Sequence, residues 1–202
     1  MRKLKTSRQP EILDAALAIA DERGLDALSM RAVAERVGVT PMALYGYFRN
    51  KDELLDALVG RLLTGLTPSE AAGTWQERLS EIAQATRRLA REHPAVFPLL
   101  LFRASVTPDG VRVVDLIYQA LLDAGVPEAD VPRIERLVST FVLGFAISEV
   151  NGRFSSASDE SRKRRGAELP AHRRLAGRLA VDDWDAEFAA DLADLMRIIR
   201  PV

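Results

Sequence analysis

Between Ser29 and Lys51 the chain reads SMRAVAERVGVTPMALYGYFRNK, a stretch that allows little besides two short helices joined by a tight turn. Ser29 is a predicted N-cap, its hydroxyl accepting a bond from a free backbone N–H of the first turn. Val33, Ala34 and Val37 share one face at helical spacing. Gly38 ends that helix, because glycine tolerates the left-handed backbone a sharp exit requires. Thr40 and Pro41 open the next, a capping hydroxyl followed by a residue whose φ is preset for the first helical position. The second helix is predicted to reach Phe48, with Leu44 and Phe48 inward and Pro41, Met42, Ala43, Gly46 and Tyr47 outward. A short, rigidly held helix with small, aromatic and hydroxyl groups on its outer face suits a DNA major groove, which is wide enough for one helix.

The flanking segments complete a three-helix head. Arg8 to Arg23 is a predicted helix whose stripe is Ile12, Leu13, Ala16, Ile19 and Ala20, stopped by Gly24. Asn50 is a predicted cap, with Glu53 three residues on to complete a capping box. Lys51 then sits at a helix N-terminus, where backbone N–H groups attract phosphate. Leu54, Leu55, Leu58, Val59 and Leu62 give this helix a wide apolar face for connecting the head to the remainder. Before the head, Met1 to Ser7 is a basic tail, read either as frayed or as an arm reaching phosphates through Arg2, Lys3 and Lys5.

The order from Leu28 to Leu58 resembles the DNA-binding head of the TetR family of bacterial transcriptional repressors, above all in Tyr45-x-Tyr47-Phe48 followed by Asn50-Lys51 and an apolar helix. The resemblance covers Pro10 to about Leu62. It implies that Thr40, Tyr45 and Lys51 touch phosphates and that Met42, Ala43, Gly46 and Tyr47 face base edges or the sugar-phosphate wall. Arg31, in the first turn of the crossing helix, is placed for a guanine edge or a phosphate. Tyr45 also has a reading as a core aromatic with its ring inside and its hydroxyl outside. Gly46 stands where a larger residue is expected.

Thr64 to Thr74, with Gly65, Pro68 and Gly73, reads as a linker. The chain is therefore divided into a helix-turn-helix domain with its connecting helix, 1–63, and a helical ligand-sensing and dimerisation domain, 64–202. In the latter the periodicity predicts helices over Trp75 to Glu92, Ala95 to Phe102, Pro108 to Ala124, Arg133 to about Arg153, and Asp183 to Ile199. Ser139, Gly144, Ala146 and Ser148 are small residues that permit close helix approach. Phe154 to Arg178, with the basic run Arg162 to Arg165, reads as a solvated loop, the alternative being a second nucleic-acid contact. The fold class is all-α, with about nine helices.

Composition narrows the function. The chain is 48% apolar with a net charge of −1, yet Met1 to Lys51 holds nine Lys/Arg against six Asp/Glu, a local net of +3, the balance a phosphate backbone senses. Cysteine is absent, which excludes a disulfide framework and a thiolate metal site and fits a cytoplasmic protein. No apolar run is long enough for a membrane span, and the N-terminus lacks a signal-peptide core. The two histidines, His93 and His172, have no metal-ligand spacing, and no phosphate-type glycine loop is present, so no metal, cofactor or enzymatic activity is expected. The rivals are a helix-turn-helix module that binds protein and an enzyme concealed in the back half.

The resemblance implies a homodimer, paired through Arg133 to Arg153 and Asp183 to Ile199, that binds a palindromic double-stranded operator. Dimerisation also has a physical motive, since two half-sites about one DNA turn apart add affinity and specificity to a short reading helix. The resemblance further implies a small-molecule effector in the back half. Candidate ligand residues are polar groups set among apolar ones: Gln84, Arg103, Tyr118, Gln119 and Glu149. The histidines that hold a magnesium–tetracycline complex in the tetracycline repressors have no counterpart here, which favours an apolar or amphipathic molecule.

Overall fold

Ser29 caps the first helix of the turn motif as its sequence requires, its Oγ accepting from the Ala32 N–H at 3.1 Å, and Gly38 leaves that helix at φ +73° in the left-handed region. These residues belong to a computed structural model that describes residues 8–68, 73–103 and 107–199. Among the described residues there are eleven α-helices and no strand. The basic tail Met1 to Ser7 lies outside them.

The head consists of α1 (Gln9–Arg23), α2 (Met30–Val37) and α3 (Pro41–Leu44). Ile12, Ala16, Ile19, Val33, Ala34, Leu44 and Phe48 are buried together. Each large apolar side chain in such a core contributes roughly 1.5–3 kcal/mol, so the orientation of α3 is fixed by Leu44 and Phe48. α4 (Lys51–Leu63) follows, its Asn50 cap accepting from the Glu53 N–H at 2.9 Å. The expected capping box is displaced by one residue: Glu53 Oε2 accepts from the Arg49 N–H at 2.6 Å. A complete box forms instead at Thr74 and Glu77, opening α5 (Trp75–Glu92).

The body continues with α6 (Leu99–Phe102), α7 (Pro108–Asp123), α8 (Val131–Val150), α9 (Ser156–Gly166), α10 (Pro170–Leu175) and α11 (Trp184–Ile199). α5 packs on α7 and α8, and α7 also packs on α4 and α8. α6 is shorter than its apolar run suggests, because Pro94 to Pro98 form turns before it. The expected loop from Phe154 to Arg178 is mostly helical, as α9 and α10. α11 lies against α8 through aromatic rings, Phe188 at 4.8 Å from Phe145 and Trp184 edge-on to Phe145 at 5.5 Å.

Beneath those rings sits an ionic cluster. Arg87 of α5, 2% exposed, donates to Glu149 of α8 and pairs with Asp185 of α11 at 2.7 Å. Arg91 donates to Glu149 at 2.5 Å and to Asp185 at 2.9 Å. The Arg87 guanidinium also stands over the Phe188 ring, 5.0 Å from its centroid. Burial pushes the Glu149 carboxyl up, but the bonds from Arg87 and Arg91 outweigh it and hold the group below the usual carboxylate range.

Candidate nucleic-acid interface and helical cavity

The α3 segment makes one α-helical turn and then tightens. The Gly46 N–H bonds the Ala43 carbonyl at 3.1 Å and the Tyr47 N–H the Leu44 carbonyl at 2.9 Å, both i to i+3. In such a turn residues three apart eclipse one another, so Tyr47 falls in line with buried Leu44. Tyr47 is accordingly half-buried against the core, whereas Tyr45 is 49% exposed. Tyr47 thus turns partly inward from the outward side expected of it, and the exposure of Tyr45 departs only from its alternative reading as a core aromatic. The remaining outward residues are as the spacing requires: Pro41, Met42, Ala43 and Gly46 are exposed. Thr40 caps α3, its Oγ1 accepting from the Ala43 N–H at 3.2 Å, which leaves its hydroxyl proton available to a phosphate.

Charge around this surface is smaller than the residue count implies. Arg36 is engaged by Glu22 at 2.6 Å, and Arg49 by Glu53 at 3.1 Å. The Arg36 bond holds the Glu22 carboxyl below its ordinary range, and the backbone N–H of Arg49 does the same to Glu53. Arg31 and Lys51, both exposed, carry no ion pair among the described residues. They open α2 and α4, the helices that precede and follow α3 in the chain.

Charged side chains tie the head and α4 to the body. His93 Nδ1 lies 2.7 Å from Asp21 Oδ2 of α1. Arg103, just past α6, forks between Asp56 at 2.5 Å and Asp52 at 2.7 Å in the first turns of α4. Farther along α4, Gly60 is packed so closely on Thr107 that a Cβ there would lie 3.0 Å from Thr107 Oγ1.

Where α4 ends, a cavity of about 210 Å³ opens between α4, α5, α7 and α8. Leu63 at the end of α4 and Leu66 just past it form one side, Ile82 and Thr86 the α5 side, and Val113, Ile117, Val138 and Val142 much of the rest. None of the sequence-predicted ligand residues lines it. Arg103 and Glu149 are consumed by the ion pairs described above. Gln119 is exposed and donates to Asp115 at 2.7 Å. Gln84 and Tyr118 are half-buried on other faces of their helices. The polar groups that do line it are Thr86, Glu135 and Ser139. Glu135 and Ser139 stand one helical turn apart beside the apolar stripe of α8, which was the signal available in the sequence. Ser139, a small residue expected to permit close helix approach, lines the cavity wall.

Comparison with known proteins agrees with this architecture at both ends. Residues 12–58 match the family described as bacterial regulatory proteins, tetR family, and residues 67–197 match the tetracyclin repressor-like C-terminal domain. The chain belongs to the TetR family. An HTH-type transcriptional regulator of Saccharopolyspora erythraea is 30% identical over 89% of this chain and 79% of its own length. An HTH-type transcriptional repressor of Mycobacterium tuberculosis is 31% identical over 78% of this chain, which spans 63% of that relative's length. Among solved structures, apo ActR from Streptomyces coelicolor superposes with a TM-score of 0.82 at 27% identity, covering 95% of this chain and 93% of that one, and ActR has also been solved in complex with actinorhodin. This TetR-family chain is thus a DNA-binding transcriptional regulator and not an enzyme. No helix among its described residues is long and apolar enough to cross a membrane.

Proposed function

We propose that the chain is a cytoplasmic repressor that binds a two-fold operator as a homodimer and is released when a small apolar or amphipathic molecule enters the α4–α5–α7–α8 cavity. Its units are 1–63, which reads DNA, and 64–202, which senses and dimerises. The observation that carries this reading is the double role of α4. Lys51 begins the helix three residues after Phe48, next in the chain to the exposed Pro41, Met42, Ala43, Tyr45 and Gly46, and Leu63 at its far end, with Leu66 just beyond it, forms a wall of the cavity. A rigid helix with one end in each site transmits a shift at the wall to the DNA-reading face.

Arg31, Thr40, Tyr45 and Lys51 are assigned to phosphates and groove walls, Met42, Ala43 and Gly46 to base edges, and Tyr47 mainly to supporting α3. Pairing of two chains is supported by α11, which exposes Ala186, Ala189, Ala190 and Ala193 along one face, and by Leu137 on α8, 44% exposed. Small side chains at that spacing let a second helix approach closely. An effector shifts the balance of head spacings only by its differential affinity for the two states.

The test is fluorescence anisotropy on labelled duplexes from the protein's own promoter region, with sedimentation of the free protein alongside. A dimer that binds one fragment at low ionic strength, and loses it steeply as salt rises, is expected. A monomer at micromolar concentration, or indifference to every fragment, contradicts the reading.

A further inference from the structure

The polar groups of the cavity are arranged as acceptors only. Thr86 Oγ1 donates its proton to the Ile82 carbonyl at 2.8 Å. Ser139 Oγ donates its own to Glu135 Oε1 at 2.6 Å. Both hydroxyl protons are therefore spent inside the protein. Among the described residues, Glu135 is the one ionisable residue in the wall, and no cation pairs with it. Its second oxygen, Oε2, accepts no protein hydrogen bond there. The other lining residues are apolar side chains and Gly110, whose N–H is engaged by Thr107 Oγ1 at 3.2 Å.

We propose that the molecule held in this cavity is a lipophilic cation, an aromatic or alicyclic body bearing a protonated amine that donates to Glu135 Oε2. The inference rests on the reading of the cavity as an effector site and specifies what that site selects. An anionic or acceptor-only ligand meets no free donor and one carboxylate, so its polar end is left unpaired in an apolar surround. An ammonium satisfies the free oxygen with a charge-assisted bond, stronger than a neutral one. Volume limits the body: an apolar cavity of about 150 Å³ accepts benzene, so about 210 Å³ takes a bicyclic ring with little rearrangement.

Calorimetry on the full-length protein with three probes of one size provides the test: 1-naphthylmethylammonium, 1-naphthalenemethanol and 1-naphthoate. The ammonium is expected to bind about tenfold or more tightly than the alcohol, and the carboxylate weakest. Glu135→Gln should collapse that preference by weakening the ammonium alone, whereas Ser139→Ala, which leaves the carboxylate in place, should retain it. Equal binding of all three probes, tighter binding of the naphthoate, a preference that survives Glu135→Gln, or no binding of any probe at millimolar concentration would each overturn the proposal. Anisotropy on promoter DNA separates it from the reading it rests on: an ammonium that binds through Glu135 without altering DNA affinity removes the effector role and leaves the charge selectivity standing.

Discussion

Arg87 holds both carboxylate oxygens of Glu149, Nε to Oε2 at 2.6 Å and Nη2 to Oε1 at 2.8 Å, with Arg87 2% exposed. The pair joins α5 to α8 inside the body, and Asp185 extends it to α11. Removing one member of a buried pair strands the other charge, which costs about 3–5 kcal/mol. For a chain of this size that lowers the melting temperature by roughly 10 °C. Arg87→Ala should show this loss by thermal denaturation. A joint replacement by Met at 87 and Leu at 149 should recover most of it, since apolar substitutes remove both desolvation costs.

The same pair sets a pH dependence. The Glu149 carboxyl is held below its ordinary range in the fold. Its contribution is therefore fully present above the unfolded carboxylate pKa and is lost as pH falls through the lower folded value. Urea midpoints measured from neutral pH down into the acid range should decline, and Glu149→Gln should flatten that decline. An unchanged slope in the variant would show that other carboxylates control acid unfolding.

Among the described residues of the head, Lys51 and Arg31 are exposed and carry no ion pair, and they should differ in kind. Lys51 is at the N-terminus of α4, suited to a phosphate. Lys51→Ala is expected to weaken all sequences alike and reduce the salt slope by about 1 per site. Arg31→Ala should change which operator variants are preferred if it reaches a base edge. Competition anisotropy with substituted duplexes reads both effects, and a uniform loss for Arg31→Ala would assign that residue to phosphate too.

The head was legible because its instructions are local. Ser29, Gly38, Thr40 and Pro41 each act on a backbone group within a few residues, so caps and turn follow from the chain order alone. Tyr47 turned partly inward because a change from an α turn to a tighter one is not visible in residue spacing. The ligand candidates lie away from the cavity for the opposite reason. Arg103 finds its partners on α4 and Glu149 finds Arg87 on α5, pairings distant in sequence that only packing reveals. α9 escaped notice because a helix that is polar all round has no apolar stripe to betray it.

Gly46 does not use glycine's backbone freedom, since the positive-φ glycines are Gly24, Gly38, Gly125 and Gly152. In a helical turn glycine costs about 1 kcal/mol relative to alanine, so Gly46→Ala should stabilise the protein by up to about that amount. The residue is exposed on the reading face, and its bare backbone is expected to lie close to the bases. Operator affinity should then fall in the same variant. A protein that is more stable and binds equally well would mark Gly46 as free of function.

Arg103 clamps the first turns of α4 from the body side while exposed to solvent in part, with Asp52 well exposed. Such pairs contribute about 0–1 kcal/mol to stability, so Arg103→Ala should melt within a few degrees of the parent. Its effect should appear in coupling: with the clamp gone, a cavity ligand should displace DNA over a narrower range of affinity. A ligand-induced change identical to the parent's would confine Arg103 to a structural contact.

Gly60 places α4 against the cap of α7, where an added Cβ would stand 3.0 Å from Thr107 Oγ1 and 3.1 Å from its Cγ2. Thr107 has little freedom to withdraw, because its Oγ1 accepts from the Gly110 N–H and so holds the first turn of α7. Valine at position 60 therefore overpacks the α4–α7 contact, at a cost of about 1–3 kcal/mol. The clash is with the threonine methyl as much as with the hydroxyl, and this makes it separable. Thr107→Ser deletes the methyl and keeps the capping oxygen, so adding it to Gly60→Val should return part of the lost stability. Chemical denaturation of the single and double variants measures the coupling, and a double variant no more stable than Gly60→Val would place the strain elsewhere along α4.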